Sequence, residues 1–190
     1  MASRPTLTTE RLVLRPFELS DGPEVRRLAG DPGIAEMTLN VPHPYEDGMA
    51  EAWIRRHQEW FEEGVDTEFA ITRRDSGELI GAVGLRGGGG PHRRAELGFW
   101  VGTPFWGRGC ATEAAAAVTG YGFSGVGLNR VFAHHLRRDP ASGRVLRKIG
   151  MRHEGTLFGH VCKQGRFEDI ELYGVLAAEW PPDRRNQQGV

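Results

Sequence analysis

Residues 104–114 read PFWGRGCATEA, with Gly107 and Gly109 two apart in front of a run of alanines. Glycines at that spacing let successive backbone N–H groups point into one concavity, with no Cβ to block a close anion. A helix starting behind them would add its unpaired N–H groups and the positive end of its dipole. A diphosphate is the natural occupant of such a corner. A tight turn that merely needs glycine is the plain alternative for an isolated G-x-G. Two common phosphate motifs fit poorly. The chain contains no G-x-x-x-x-G-K-[ST] string. A dinucleotide fingerprint wants a third glycine where Thr112 stands and an acidic residue about 20 positions later. The next strand instead ends in His134 and His135.

The elements around this corner follow from pattern. RAELGFWV (94–101) reads as a strand, residues 111–123 as a helix, and NRVFAHHL (129–136) as a strand again. Such a crossover makes the two strands parallel and right-handed, and places a ligand beyond their C-terminal ends. Upstream, RLVLRPF (11–17) is a strand. It leads into a helix with Asp21 and Glu24 as a capping box, Pro23 in the first turn and Gly30 as a stop. Residues 45–63 form a second helix, with Met49, Trp53, His57 and Trp60 at helical spacing and Gly64 beyond its end. Residues 68–74 and 78–86 pair as a hairpin, and GGGGP (87–91) is a flexible connection. Residues 141–149 make a short helix, and 151–161 with 167–176 a closing pair of strands. The order indicates a mixed sheet with helices on both faces.

Bulk properties narrow the class. A chain of 190 residues suffices for one domain with a sizeable core. Its 24 basic and 25 acidic side chains create no global field toward nucleic acid or membrane. Apolar runs fall far short of a membrane span, and the start MASRPTLTTE lacks a signal-peptide core. Cys110 and Cys162 are too few for a disulfide framework or a four-thiolate zinc site, so a reducing, cytoplasmic setting is expected. His134 and His135, adjacent on a strand, point to opposite faces, which argues against one shared metal site. His160 and Cys162 lack a third ligand. No metal is expected. The tail PPDRRNQQGV (181–190) is expected to be loosely ordered.

ELGFWVGTPFWGRGCATEA followed by NRVFAHHLRRDPASGRVLRKIGMRHEG resembles the coenzyme-binding core of the GNAT N-acetyltransferases. LTTERLVLRPF and FEDIELYGVLAAEW extend the likeness, within the branch that includes RimJ and RimL, over nearly the whole chain. The resemblance implies an α+β fold: a mixed, mostly antiparallel, twisted sheet of six to seven strands with helices on both faces, one domain over residues 1–180. It implies acetyl-CoA as co-substrate and direct acetyl transfer to a primary amine, with an N-terminal α-amino group as preferred acceptor. A small-molecule amine is the nearest rival, and a non-catalytic acyl-CoA sensor is a second. It leaves a homodimer open.

The same resemblance distributes roles. Backbone N–H groups of Gly107, Arg108, Gly109, Cys110, Ala111 and Thr112 would bind the pyrophosphate, with Pro104 where the motif has Arg or Gln. The pantetheine arm would pair with backbone around Phe99, Trp100 and Val101, where an N–H can steady the thioester oxygen. Asp139 stands where the family usually has asparagine, and Leu146 where many members have tyrosine. Ser142 then becomes the candidate donor to the departing thiolate, an N-cap or first-turn serine being the alternative. Glu96 is the candidate base, an exposed strand charge its alternative. Arg144, Arg147 and Lys148 are candidates for the 3′-phosphate. Trp53, His57 and Trp60 could line the acceptor groove or pack in the core. An α-amino group has a pKa near 7.7–8.0, so neutralising it at pH 7 costs about 1–1.4 kcal/mol, against about 4.6 kcal/mol for a lysine.

Overall fold

A computed structural model describes residues 3–88 and 90–180, so the 181–190 tail and Gly89 lie outside the described residues. Eight strands form one sheet: β1 (Leu7–Thr8), β2 (Leu12–Arg15), β3 (Asp66–Arg73), β4 (Leu79–Arg86), β5 (Arg94–Val101), β6 (Arg130–Leu136), β7 (Arg152–Lys163) and β8 (Arg166–Leu176). Their spatial order is β1-β2-β3-β4-β5-β6-β8-β7. Every neighbouring pair is antiparallel except β5–β6. The eighth strand beyond the expected seven is β1, two residues that pair Leu7 with Leu14 and Thr8 with Val13. A two-residue strand is too short to leave an alternation in sequence.

Among the described residues six α-helices cover the two faces: α1 (Gly22–Ala29), α2 (Pro32–Met37), α3 (Met49–Arg55), α4 (His57–Glu62), α5 (Cys110–Ser124) and α6 (Pro140–Lys148). One face carries α1 to α4 over a core of Phe17, Val25, Ala29, Ala50, Ile54, Ala70, Leu79 and Ala82. The other carries α5 and α6 over Leu14, Ile71, Val83, Leu97, Val118, Val131, Leu146 and others. Burial on both sides explains why β3 and β4 read as near-continuous apolar runs. Helix α5 lies close to the sheet because Gly122 has no side chain. A Cβ there would meet Leu85 Cδ1 at 2.9 Å and Leu128 Cδ1 at 3.1 Å.

Several expectations change. The predicted helix 45–63 begins only after Gly48, whose φ of 81° is outside the helical range, and breaks at Arg56 into α3 and α4. Asp21 does not cap α1 with its side chain. Its carboxylate instead accepts from Arg15 at 2.7 and 2.8 Å and from the Glu18 N–H at 2.8 Å. Helix α2 was absent from the sequence reading, though Asp31 accepts from Gly33 N and Pro32 fills the first turn.

Trp53, His57 and Phe17 pack edge to face, with ring centroids 4.3–5.4 Å apart. His57 is 1% exposed, and neither ring nitrogen has a hydrogen-bond partner among the described residues. Burial, with Arg4 and Arg86 nearby, pushes its pKa down to about 3. The folded protein therefore holds this ring neutral, while the unfolded chain protonates it near the ordinary 6.5. Stability contributed this way is full above 6.5 and falls as pH drops from there toward 3. Denaturant unfolding between pH 7 and 4 should show wild type losing up to about 1.4 kcal/mol per pH unit from this group. That component should be missing in His57→Phe.

Candidate active site

Strands β5 and β6 pair over only three residues: Arg94 with Arg130, Ala95 with Val131, and Glu96 with Phe132. Beyond that they run on to Val101 and Leu136 without pairing, so the sheet opens into a wedge. A cleft of about 590 Å³ occupies the opening. Its walls include Glu96 to Val101 on β5, Phe105 to Gly107 and Gly109 to Thr112 at the turn into α5, and His134 to Leu136 at the end of β6. The start of α6, from Arg138 to Ser142, and the segment 37–41 after α2 complete the lining.

The glycine turn is built on two left-handed residues, Gly107 at φ 75° and Gly109 at φ 82°. Either position would be strained with any L side chain. Gly109 is the N-cap of α5 and brings no capping side chain, so the first-turn amides at Cys110, Ala111 and Thr112 receive no side-chain cap. The Arg108 carbonyl accepts from Arg11 Nη1 at 2.9 Å. In a trans peptide the following N–H, that of Gly109, points the opposite way from this carbonyl. Phe105, 8% exposed, anchors the turn in the core, and the Trp106 indole N–H donates to the Val101 carbonyl at 2.5 Å.

A clamp that sequence reading missed fixes the turn from the far side. Glu113, in the first turn of α5, accepts from Thr9 Oγ1 at 2.6 Å, Arg11 N at 2.8 Å and Arg11 Nε at 2.7 Å. Burial alone would raise the Glu113 pKa; the hydrogen bonds from Thr9 and Arg11 outweigh it and hold the carboxylate below its ordinary range. Glu113 stands inside the quoted motif, but its partners lie 102 and 104 residues upstream, so no local pattern signals the contact.

The second helix facing the cleft is different. Asp139 is the N-cap of α6, and its Oδ1 accepts from Ala141 N at 3.1 Å and Ser142 N at 3.2 Å. Its Oδ2 accepts from the Ser142 hydroxyl at 2.6 Å. The capping residue is thus Asp139, with Ser142 in the first helical turn. One helix N-terminus at the cleft is neutralised by a carboxylate, and the other is left open. An anion is favoured at α5 alone.

The remaining candidates separate cleanly. Arg144 and Lys148 line the cleft, whereas Arg147 turns away and donates to the Tyr173 hydroxyl at 2.9 Å. Glu96, Gly98 and Trp100 share the α2 side of β5, while Phe99 packs against the α5 side. Glu96 Oε1 lies 3.3 Å from His134 Nδ1. His135 faces the opposite way and stacks on Tyr173, ring centroids 5.5 Å apart. Trp53, His57 and Trp60 are absent from the cleft wall and belong to the α3–α4 packing described above. Cys110 is half-buried and Cys162 exposed. Among the described residues no group of three His, Cys, Asp or Glu is placed to hold a metal, and no helix is long and apolar enough to cross a membrane.

The segment closing the cleft from the α2 side is tied at both ends. The Thr103 hydroxyl donates to Asp31 at 2.7 Å, just ahead of the glycine turn. On the opposite wall Arg138 donates to the Glu36 carbonyl at 2.8 Å, and Lys163 Nζ to the Thr38 carbonyl at 2.6 Å. These contacts bridge the two halves of the sheet where β5 and β6 no longer pair.

A splayed parallel pair, an open helix N-terminus behind a left-handed glycine turn and a covered wedge together define an acyl-coenzyme-binding acetyltransferase scaffold. Residues 11–152 match the family model for the acetyltransferase (GNAT) domain, and the chain belongs to that family. It is 31% identical over 176 residues to the uncharacterised N-acetyltransferase p20 of Bacillus licheniformis, covering 92% of this chain and 98% of that one. It is 25% identical over 185 residues to the ribosomal protein uS5-alanine N-acetyltransferase of Escherichia coli, covering 94% of each. Among solved structures, Mycobacterium smegmatis RimJ in complex with CoA-disulfide superposes with a TM-score of 0.85 at 24% identity, over 96% of this chain and 92% of that one. Family members use acetyl-CoA.

Two outcomes follow from the turn. Gly109→Asp should abolish coenzyme A binding by calorimetry, because it adds a strained left-handed side chain and a negative charge to the anion corner. The Glu113 clamp is fully formed above the ordinary carboxylate pKa of 4.5 and is lost as pH falls through the lower folded value. The stability gap between wild type and Glu113→Gln should therefore be constant above pH 5 and shrink toward pH 3 in thermal unfolding.

Proposed function

We propose that this protein transfers the acetyl group of acetyl-CoA to a primary amine, preferably the α-amino group of a protein or peptide N-terminus. The observation that carries the first half is the open α5 N-terminus at the head of the β5–β6 wedge. The residues present suit the co-substrate. Main-chain amides from Gly107 to Thr112 would hold its pyrophosphate, Arg144 and Lys148 its 3′-phosphate, and the unpaired edge of β5 at Phe99–Val101 its pantetheine arm. When bound, acetyl-CoA supplies an activated acyl carbonyl, and an N–H of residues 99–101 would stabilise the oxyanion that forms there. Ser142 is the proposed donor to the departing sulfur. Its hydroxyl hydrogen lies on Asp139 in the free protein and has to rotate about one torsion to reach the cleft. Residues 1–180 would form the one catalytic domain.

The acceptor half rests on charge. On the α2 side of the cleft Arg86 is paired with Glu68, and Arg138 with Glu168 and Glu36. A polyamine carries several cations and needs surplus carboxylates; here most are already neutralised. A single α-amine on a mostly uncharged peptide suits this wall better, and it is the easier amine to deprotonate. The uS5-alanine enzyme among the relatives supports the same choice.

Thiol release from acetyl-CoA, measured over N-terminal peptides, polyamines and aminoglycosides, tests this reading. The expected result is turnover highest on peptides; coenzyme A binding without transfer to any amine would instead mark a sensor module. Ser142→Ala should lower kcat at least tenfold with little change in KM for acetyl-CoA. A fully active variant would confine that hydroxyl to the α6 first turn.

A further inference from the structure

Glu96 and His134 meet at the closed end of the wedge, where β5–β6 pairing stops, and we infer that His134 accepts the proton from the acceptor amine while Glu96 positions the imidazole. The inference rests on the acetyl-transfer reading above and assigns a role to a residue that the sequence motif does not mark.

Geometry carries it. Pairing between β5 and β6 stops at Glu96–Phe132, and His134 is the next residue of β6 on that face. It would have stood opposite Gly98 had pairing continued. Gly98 has no side chain, and a Cβ built there would have only the Arg86 guanidinium within 4 Å, at 3.7–3.9 Å. An open space therefore lies beside Gly98, flanked by Arg86, Glu96 and His134, all of which line the cleft. It is on the α2 side of β5, opposite the side on which Phe99 packs. An amine placed there reaches the wedge from the face that segment 37–41 covers.

Chemistry selects the imidazole. Glu96 Oε1 is 3.3 Å from Nδ1, a position that favours the tautomer with its hydrogen on Nδ1, in which the Nε2 lone pair is left to accept a proton. A carboxylate fixing the tautomer of a basic histidine is the arrangement found in hydrolase triads. Imidazole is also the side chain whose protonation ordinarily changes near neutral pH, where an α-amine has to be deprotonated. Other charged groups stand on this sheet face: Arg86 pairs with Glu68 on β4 and β3, Arg130 with Glu154 toward the start of β6, and Arg138 with Glu168 and Glu36 at its end, while Arg94 precedes Glu96 by two residues and Asp66 stands opposite Arg86. Glu96, which also helps to raise the Arg86 pKa, is the carboxylate beside His134. At 24% and 28% side-chain exposure, both groups remain within reach of water for proton release.

In the step so drawn, the ammonium gives one proton to His134 Nε2, and the neutral nitrogen bonds to the thioester carbonyl carbon. As the carbon–sulfur bond breaks, Ser142 gives its hydroxyl proton to the sulfur and is replenished by the second proton leaving nitrogen, and the His134 proton passes to water. The products are the acetamide, the free thiol and one proton.

The test is kcat/KM against pH on an N-terminal peptide with acetyl-CoA saturating, for wild type, His134→Ala, His134→Gln and Glu96→Gln. Coenzyme A calorimetry on each variant confirms an intact fold. His134→Ala and His134→Gln should lose about 10²–10⁴-fold in kcat with coenzyme affinity unchanged. Added imidazole should restore part of the His134→Ala rate, more so as pH rises. Glu96→Gln should lose less and should alter the acid limb of the profile. Near-wild-type turnover in His134→Ala, or a loss that imidazole does not repair at any pH, would overturn the inference. Wild type inactive on every amine would overturn the transferase reading itself, a result separable from an active wild type indifferent to His134.

Discussion

Everything in this molecule depends on a hydrogen-bonding pattern that stops early. Two parallel strands joined by a right-handed crossover pair for three residues and then separate, although each continues as extended backbone. Separation leaves main-chain groups of β5 without a strand partner in the middle of a sheet, where unpaired backbone is costly unless something satisfies it. A ligand with amide-like groups of its own can do so.

The two helices that begin at this opening carry opposite electrostatics. Helix α5 starts at a glycine that offers no capping side chain, and α6 starts at an aspartate that saturates its own first turn. The difference directs an anion to one end of the wedge. The carboxylate oxygens of Asp139 are spent on α6 itself. The open turn needs support from behind, and the Thr9–Arg11–Glu113 cluster provides it by joining the first strands of the chain to the first turn of α5.

Opening the sheet also weakens the tie between its halves, and side chains compensate. Asp31 with Thr103, Arg138 with the Glu36 carbonyl, and Lys163 with the Thr38 carbonyl carry α2 and the segment after it across the gap. Surface ion pairs on their own stabilise little. Here the longer-range contacts are to backbone carbonyls, which fixes where the covering segment lies.

Sequence alone determined most of the elements and the glycine turn ahead of α5, because both are local. Alternation marks β2 and β5, an alanine-rich run marks α5, and two glycines at fixed spacing in front of a helix can be read within a dozen residues. What failed at this level was short or context-bound: β1 with two residues, α2 with six, and the break at Arg56. The triple duty of Glu113, the capture of Asp21 by Arg15 and the pairing of Glu96 with His134 were decided by the tertiary structure. Each joins side chains whose approach depends on strand register or on a crossover, and neither residue type nor spacing encodes the distance between them. The stripe of Trp53, His57 and Trp60 shows the same limit from the other side. Helical periodicity predicts one shared face, whereas the chain breaks at Arg56 and packing buries only His57, with Trp53 and Trp60 half-buried around it.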